Sequence, residues 1–433
     1  MFRAGFARLD ITPPLGTPMA GYYEMRYADG ILDPLYINAV AWSDGHDTVL
    51  LITADILLVS LPVADLLRRM VSQRTGVAED HIMIHALHPH TAFRVGNSES
   101  AVTDQAYLDV FYRKFADAAQ MAMDDLSEAA AASAIREAIE PLSFVRRYIL
   151  KDGSLKTNPQ DVPKEDILRP AAEADNRVRL LRFIREGKKE ITLVNFCTHP
   201  DVVSGTRISA DWPGFARRFV EEDHPDVNCV MINGFQGDTN HFDYIGGRFQ
   251  SQRGYAYSQK MGRVIADTVN LIWDKTEIHH AFHVSGESKI IFNKCSTRGE
   301  EYYEECRAYA DRYSAGDYST QYTESGIEKA EAYRIADMPN QPVFHKLMIT
   351  ALGLGDVVFL GVSGEPFTQY IHLISEMVPE KRLITVTLCN GGEGYLPSKM
   401  AFDQGGYEVI SSHYTPELEE TVLGTVRQML EHF

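Results

Sequence analysis

Runs of apolar, strand-forming residues alternate with helical periodicities along most of this 433-residue chain, and that alternation limits its fold more than any other feature. Strand-like runs are Tyr36 to Trp42, Thr48 to Ala54, Ile82 to Leu87, Val178 to Phe183, Ile191 to Cys197, Asn228 to Asn233, Ile278 to Phe292, Val343 to Leu352, Val357 to Val362 and Leu383 to Leu388. Among them, apolar residues recur at helical spacing over Pro62 to Arg74, Gln105 to Asp125, Gly214 to Glu222, Ala256 to Asp274, Phe367 to Met377 and Pro416 to Glu431. Thr415 reads as the N-cap of the last, with Pro416 at the first helical position, where a missing N–H is tolerated. Strands and helices interleaved in this way predict an α/β fold.

No low-complexity linker or internal repeat divides the chain, and its site-like motifs are spread from residue 85 to residue 407, so a single catalytic domain over residues 1–433 is expected. The most separable piece is Thr297 to Met338, a charged helical pair that includes Glu300-Glu301-Tyr302-Tyr303-Glu304-Glu305. Its charge favours a solvated helical excursion over a lid or a dimer arm. Lys151 to Glu173, rich in Asp, Pro and Lys, reads as a long loop able to border a pocket.

Asp plus Glu number 60 against 42 for Lys plus Arg, a net charge of −18, and no basic run is present to track a nucleic-acid backbone. Nucleic acid and anionic membrane are therefore set aside as partners. No segment approaches the roughly 20 apolar residues of a membrane helix, and Met1 to Asp10 lacks the apolar core of a secretory signal. The five cysteines, Cys197, Cys229, Cys295, Cys306 and Cys389, are scattered and form no Cys-x-x-Cys pair. They point to a reducing cytoplasm and away from thiolate-bound zinc. A small molecule is the expected substrate, and self-association into a homo-oligomer is left open.

The densest chemistry lies at His85-Ala86-Leu87-His88-Pro89-His90-Thr91, where an apolar strand runs out. Side chains alternate along a strand, so His88 and His90 should leave one face together. Pro89 cannot donate to a central ladder, which places the pair where strand becomes loop, the usual location of chemistry in α/β enzymes. Four more strands end in the same manner: Val194 to Asp201 with His199, Met231 to His241 with Asp238, Asn240 and His241, Phe359 to Phe367 with Glu365, and Val386 to Tyr395 with a glycine-rich turn before Tyr395. Imidazole nitrogens and a carboxylate are what a catalytic zinc takes, commonly three protein ligands and a water. A lone histidine at a strand end is more often an ordinary hydrogen-bonded residue, but several together favour a metal. His279, His280 and His283 read as structural or exposed, and His85 as a group supporting the pair from behind.

These motifs resemble the catalytic domain of the neutral, non-lysosomal ceramidases, zinc-dependent amidases that hydrolyse the N-acyl bond of ceramide. Gly5 to Pro14 followed by Met19-Ala20-Gly21-Tyr22 is similar to that family's opening G-x-x-x-x-D-I-T-x-P and M-x-G-Y elements. Ile84 to Thr91 resembles its I-S-A-T-H-T-H-S, Ser363-Gly364-Glu365 its P-G-E, Gly394-Tyr395 its G-Y, and Gln404 to Glu408 its Q-x-Y-E. His199 with the downstream Ile208-Ser209-Ala210-Asp211 resembles its second histidine ligand and I-S-G-D. The resemblance implies mixed β-sheets flanked by helices, Zn²⁺ held by His88, His199, Glu365 and Tyr395, and Tyr407 facing the scissile group.

Departures from the pattern are equally specific. Gln236-Gly237-Asp238-Thr239-Asn240 stands where the family has G-D-V-S-P-N, so Asn240 takes the serine position, and Ala92-Phe93-Arg94-Val95 replaces a glycine-proline-glycine loop. No counterpart of the family's carboxy-terminal β-sandwich is expected after the last predicted helix. Zinc and hydrolysis survive these changes better than ceramide does, because zinc activates water and needs no serine nucleophile. The expectation is a zinc hydrolase of an amide, or less readily an ester or lactone, in a small and non-ceramide substrate. His90, Tyr407 and Asp238 are the candidate catalytic residues, Arg94, Asn240 and His241 the candidate substrate contacts, and Asp211 and Asp238 are placed to fix imidazole tautomers or to cap loops. The rivals are a metal-dependent lyase or isomerase acting on a sugar-like compound, and a non-catalytic binding protein on a decayed enzyme scaffold.

Overall fold

Along Tyr36–Ser43, Ala39 and Ala41 face one way and Val40 and Trp42 the other, and this period of two decides how the chain layers. A computed structural model describes residues 1–96, 103–280 and 282–433. Among these, nine strands form one mixed sheet in the spatial order Val227–Asn233, Glu190–Phe196, Arg177–Arg185, Ser127–Glu137, Arg3–Asp10, Tyr36–Ser43, Thr48–Ala54 and Ile82–Ala86, with Glu277–Ile278 paired to Ser127–Glu137. A second sheet runs Val284–Lys294, Phe344–Leu354, Val357–Val362, Arg382–Val386. The two pack face to face through one apolar cluster holding Trp42, Leu51, Phe183 and Leu193 from the first and Leu352, Phe359 and Val386 from the second. Their outer faces are covered by helices: Leu61–Thr75 and Gln105–Asp124, and Asp211–Asp223 and Gly254–Ile272, on the larger sheet, Gln369–Met377 and Leu418–Leu430 on the smaller. The predicted α/β class with mixed sheets flanked by helices is what the chain adopts.

Three strand–helix–strand units supply the parallel pairs. Thr48–Ala54 pairs with Ile82–Ala86, Glu190–Phe196 with Val227–Asn233, and Val357–Val362 with Arg382–Val386. Each is linked through one of the covering helices, so six strands present their carboxyl ends along one edge of the double layer, the place where open α/β sheets bind ligands. Polar groups stitch the two sheets near that edge. His85 sits fully buried with Nδ1 2.7 Å from the Thr387 carbonyl, while its Nε2 accepts the Asn233 amide at 3.0 Å. Burial holds its pKa down to about 3, so it is a neutral strut between sheets.

Several local expectations need correction. The run Ile278 to Phe292 is two strands, Glu277–Ile278 and Val284–Lys294, which join different sheets. The last helix starts at Leu418, since Thr415 and Pro416 are spent in a turn closed by the Leu418 amide on the Thr415 carbonyl. Thr297 to Met338 is more than a solvated excursion: Cys306, Tyr309, Tyr313, Ala332 and Ile335 form a small core of its own. It also grips the loop after Gly21, with the Tyr313 hydroxyl donating to Glu24 at 2.6 Å and Tyr23 packed on Tyr333 at 5.2 Å between ring centres.

Buried Asp55, just beyond Thr48–Ala54, accepts both Arg217 nitrogens at 3.1 and 2.9 Å and the Tyr36 amide at 2.8 Å. This pair ties a covering helix to the strand end that carries Ile56 and Leu57. Arg217→Leu leaves an uncompensated buried carboxylate and is expected to cost about 3–5 kcal/mol, read as a lower urea midpoint; an unchanged midpoint would contradict this role.

Candidate metal centre

Beyond Ala86 the chain bends instead of continuing as strand. The Leu87 amide donates to the Ala54 carbonyl and the His88 amide to the Ile56 carbonyl, both at 2.9 Å, and His88 takes a left-handed conformation with φ of 74°. His88 and His90 therefore meet through a turn and not through strand alternation, with their Nε2 atoms 3.3 Å apart. A non-glycine residue held at positive φ is costly and persists only where surrounding contacts fix it. Gly21 packs against His90 so closely that a Cβ there would lie 2.9 Å from the His90 Cα, which explains a glycine in that loop.

The second strand–helix–strand unit delivers His199. Asp211, expected either to orient an imidazole or to cap a loop, does the latter: its carboxylate accepts the amides of Val202, Val203 and Trp212 and the Ser258 hydroxyl, clamping the turn that follows His199. Glu365 arrives from the third unit, paired in parallel register with Tyr395, and Gly237 lies so near that an added Cβ would sit 2.2 Å from the Glu365 carbonyl oxygen.

The imidazoles of His88 and His199 each turn one nitrogen to the backbone and the other toward Glu365. His199 Nδ1 is 3.0 Å from the Gln236 carbonyl and His88 Nδ1 is 2.8 Å from the Leu57 carbonyl. A carbonyl only accepts, so both protons sit on Nδ1 and both Nε2 atoms carry bare lone pairs. Those atoms lie 3.1 Å (His199) and 3.5 Å (His88) from one oxygen of Glu365, and His199 Nε2 is buried with no hydrogen-bond partner. A ring nitrogen facing a carboxylate at this range needs a proton or a metal cation between the two. Zinc bonds of 2.0–2.1 Å at tetrahedral angles put ligand atoms about 3.3 Å apart, so the donors fit such an ion. His88, His90 and His199 also form a group whose ligand atoms all lie within 4.8 Å of one another. Burial and neighbouring His88 hold His90 down to about 3, burial lowers His88, and for Glu365 the effect of burial is outweighed by His88, His199 and Arg146, which hold it down to about 2.

Arg146, which sequence reasoning missed, lies beside the cluster. Its Nε donates to Glu408 at 2.6 Å and an Nη to the Gly237 carbonyl at 3.0 Å, while the guanidinium lies 5.3 Å from the Tyr395 ring centre and 5.9 Å from that of Tyr407. Burial raises both phenols well above their ordinary range, so Tyr395 and Tyr407 are neutral donors here. Tyr395 has its ring 6.4 Å from that of His199.

Other sequence candidates fall elsewhere. Asp238 contacts no imidazole; its oxygens accept the Thr368 amide at 2.8 Å and hydroxyl at 3.3 Å, so Leu57 and Gln236 carbonyls do the tautomer-fixing expected of it. Asn240 is buried and donates to Asn158 at 2.7 Å. His241, buried as well, has Nδ1 3.2 Å from Asp201, a neighbour two residues beyond His199. Arg94 is placed by its amide on the Pro18 carbonyl, and no described hydrogen bond brings its side chain to the cluster.

The scaffold defined by these layers, with its groups gathered at the ends of parallel strands, is that of the neutral ceramidases. It is similar to a crystal structure of neutral ceramidase from Pseudomonas aeruginosa, with a TM-score of 0.73 and 14% identity over 99% of this chain and 74% of that one. A ceramidase complexed with C2 matches with a TM-score of 0.73 and 13% identity, over 100% of this chain and 76% of the other. No family model matches the sequence, and neither does any curated protein. At this identity the likeness shows the fold.

Proposed function

We propose that this chain is a zinc-dependent hydrolase that cleaves the amide bond of a small N-acyl compound. The observation that carries the reading is the convergence of two bare imidazole nitrogens and the Glu365 carboxylate within 3.1–3.5 Å at the ends of parallel strands. His88, His199 and Glu365 would hold the ion, with Tyr395 beside Glu365 at the fourth position. Bound zinc supplies Lewis acidity toward an acyl carbonyl. His90, 3.3 Å from His88, is placed to take a proton from the attacking water and return it to the departing amine. Tyr407 and the Arg146 guanidinium donate to the oxygen on which negative charge develops. The ceramidase fold supports hydrolysis by analogy. Five free, buried cysteines support a reducing, cytoplasmic setting, and among the described residues no helix is long and apolar enough to cross a membrane.

Two measurements test this together. Metal analysis of purified protein should give about one zinc per chain, and turnover of N-acyl amines in ¹⁸O-labelled water should place one solvent oxygen in the released acid. Exchange of carbon-bound hydrogen with no oxygen incorporated would replace the hydrolase by an isomerase or lyase on the same metal site.

A further inference from the structure

Resting on that reading, we infer that the substrate is a polyhydroxylated N-acyl amine of sugar size, bound in a polar cleft that opens from Arg146 and Tyr407. The cleft has a volume of 520 Å³ and is walled by three separate parts of the chain: the end of the hairpin that Arg147–Leu150 and Leu155–Thr157 form where a long loop was expected, with Lys156, Thr157 and Asn158; the turn at Gly406; and Tyr322 and Glu328 of the helical excursion. Its capacity falls within the range of small-molecule sites, about 300–1,000 Å³. Arg146 and Tyr407, which lie beside the candidate metal centre, are part of its wall, so a ligand lying in it would point its acyl end toward the cluster.

The walls are preorganised. Thr157 donates to Glu408 at 3.2 Å and accepts the Tyr407 amide at 3.3 Å, and a Cβ on Gly406, at φ of 96°, would sit 2.6 Å from Leu155 Cδ2. The excursion is fixed through Lys329, whose ammonium lies 4.8 Å from the Tyr23 ring centre and 3.6 Å from Glu24. Asn158 stands at φ of 51°, its side-chain oxygen taken by Asn240 at 2.7 Å, which leaves its amide nitrogen without a partner among the described residues. Glu328 is exposed at the mouth of the cleft, and its carboxylate forms no ion pair among the described residues. Free donors and acceptors of both kinds therefore line one cleft, and hydroxyl groups answer both.

Leu155 is the single aliphatic side chain in the wall. An acyl chain placed here would strip water from the Asn158 amide and the Glu328 carboxylate and return no hydrogen bond, a penalty of up to about 1–3 kcal/mol for each group. A pyranose ring instead offers hydroxyls to the hairpin and a C–H face to Tyr322.

The test uses the zinc-loaded full chain with N-acetylated glucosamine, galactosamine and mannosamine as polar probes and N-hexanoylsphingosine in micelles as the lipid probe. Free-amine release and saturation-transfer NMR are read for wild type, Asn158→Leu and Glu328→Leu. The expected result is saturable binding and release from at least one sugar amide, with the lipid at least about 100-fold poorer in kcat/KM. Each variant is expected to raise KM about tenfold with kcat within threefold, and zinc content should be unchanged. Preference for the lipid would overturn the polar cleft and leave the hydrolase standing. Sugar-amide binding that the variants weaken, without amine release by any probe, would support the cleft and overturn the hydrolase. Absence of both binding and release would overturn the two together.

Discussion

His199→Ala is expected to empty the metal centre and abolish turnover while the chain stays folded. Its imidazole is fully buried, its Nδ1 is committed to the Gln236 carbonyl, and its bare Nε2 faces Glu365 at 3.1 Å. Substitution of residues that merely orient a metal ligand costs about 10–100-fold in affinity, so removing a ligand should exceed about 100-fold and take zinc from about one per chain to a trace after dialysis. Loss of packing alone should not do this, and His85 supplies the comparison. That histidine is equally buried and bridges the two sheets, but both its nitrogens already have partners. His85→Asn should lower the unfolding midpoint and keep its zinc. If His199→Ala retained a full equivalent of zinc, the proposed centre would be wrong.

The contrast between these histidines marks what the sequence makes legible. Strands built from valine, isoleucine and leucine, such as Thr48–Ala54 and Val357–Val362, announce themselves, and so do the polar residues that follow them, because a strand end in an α/β fold is a fixed place. His88, His199 and Glu365 came from that pattern. Ser127–Glu137 did not: its four consecutive alanines have the highest helix propensity, and it is a strand because Arg177–Arg185 pairs along nine of its residues. Arg146 follows a two-residue strand with no periodicity, and contacts distant in sequence, with Gly237, Asp238 and above all Glu408, 262 residues away, bring it to the site. The glutamates of the excursion are largely exposed, as their charge predicts, while Cys306, Tyr309 and Tyr313, spaced three and four apart, form the buried helix face that gives it a small core.

His90 poses the sharpest remaining question about the cluster, since its Nε2 lies 3.3 Å from that of His88, near enough for a fourth ligand or for a proton carrier. The two roles predict opposite metal behaviour. His88 and His199 each have a backbone carbonyl on Nδ1, the usual device for aiming a ligand imidazole. Among the described residues no such carbonyl is hydrogen-bonded to the His90 ring; apart from the His88 contact, that ring packs against Tyr22 at 5.6 Å and against Gly21. A side chain so placed can tilt, which suits proton transfer. His90→Phe is therefore expected to keep about one zinc per chain and to lower kcat by about 10²–10⁴-fold, the range for a general acid–base group, with KM little changed. Loss of zinc in this variant would make His90 a ligand and would shift the proton carrier to Tyr407, whose Tyr407→Phe variant would then carry the larger kcat effect.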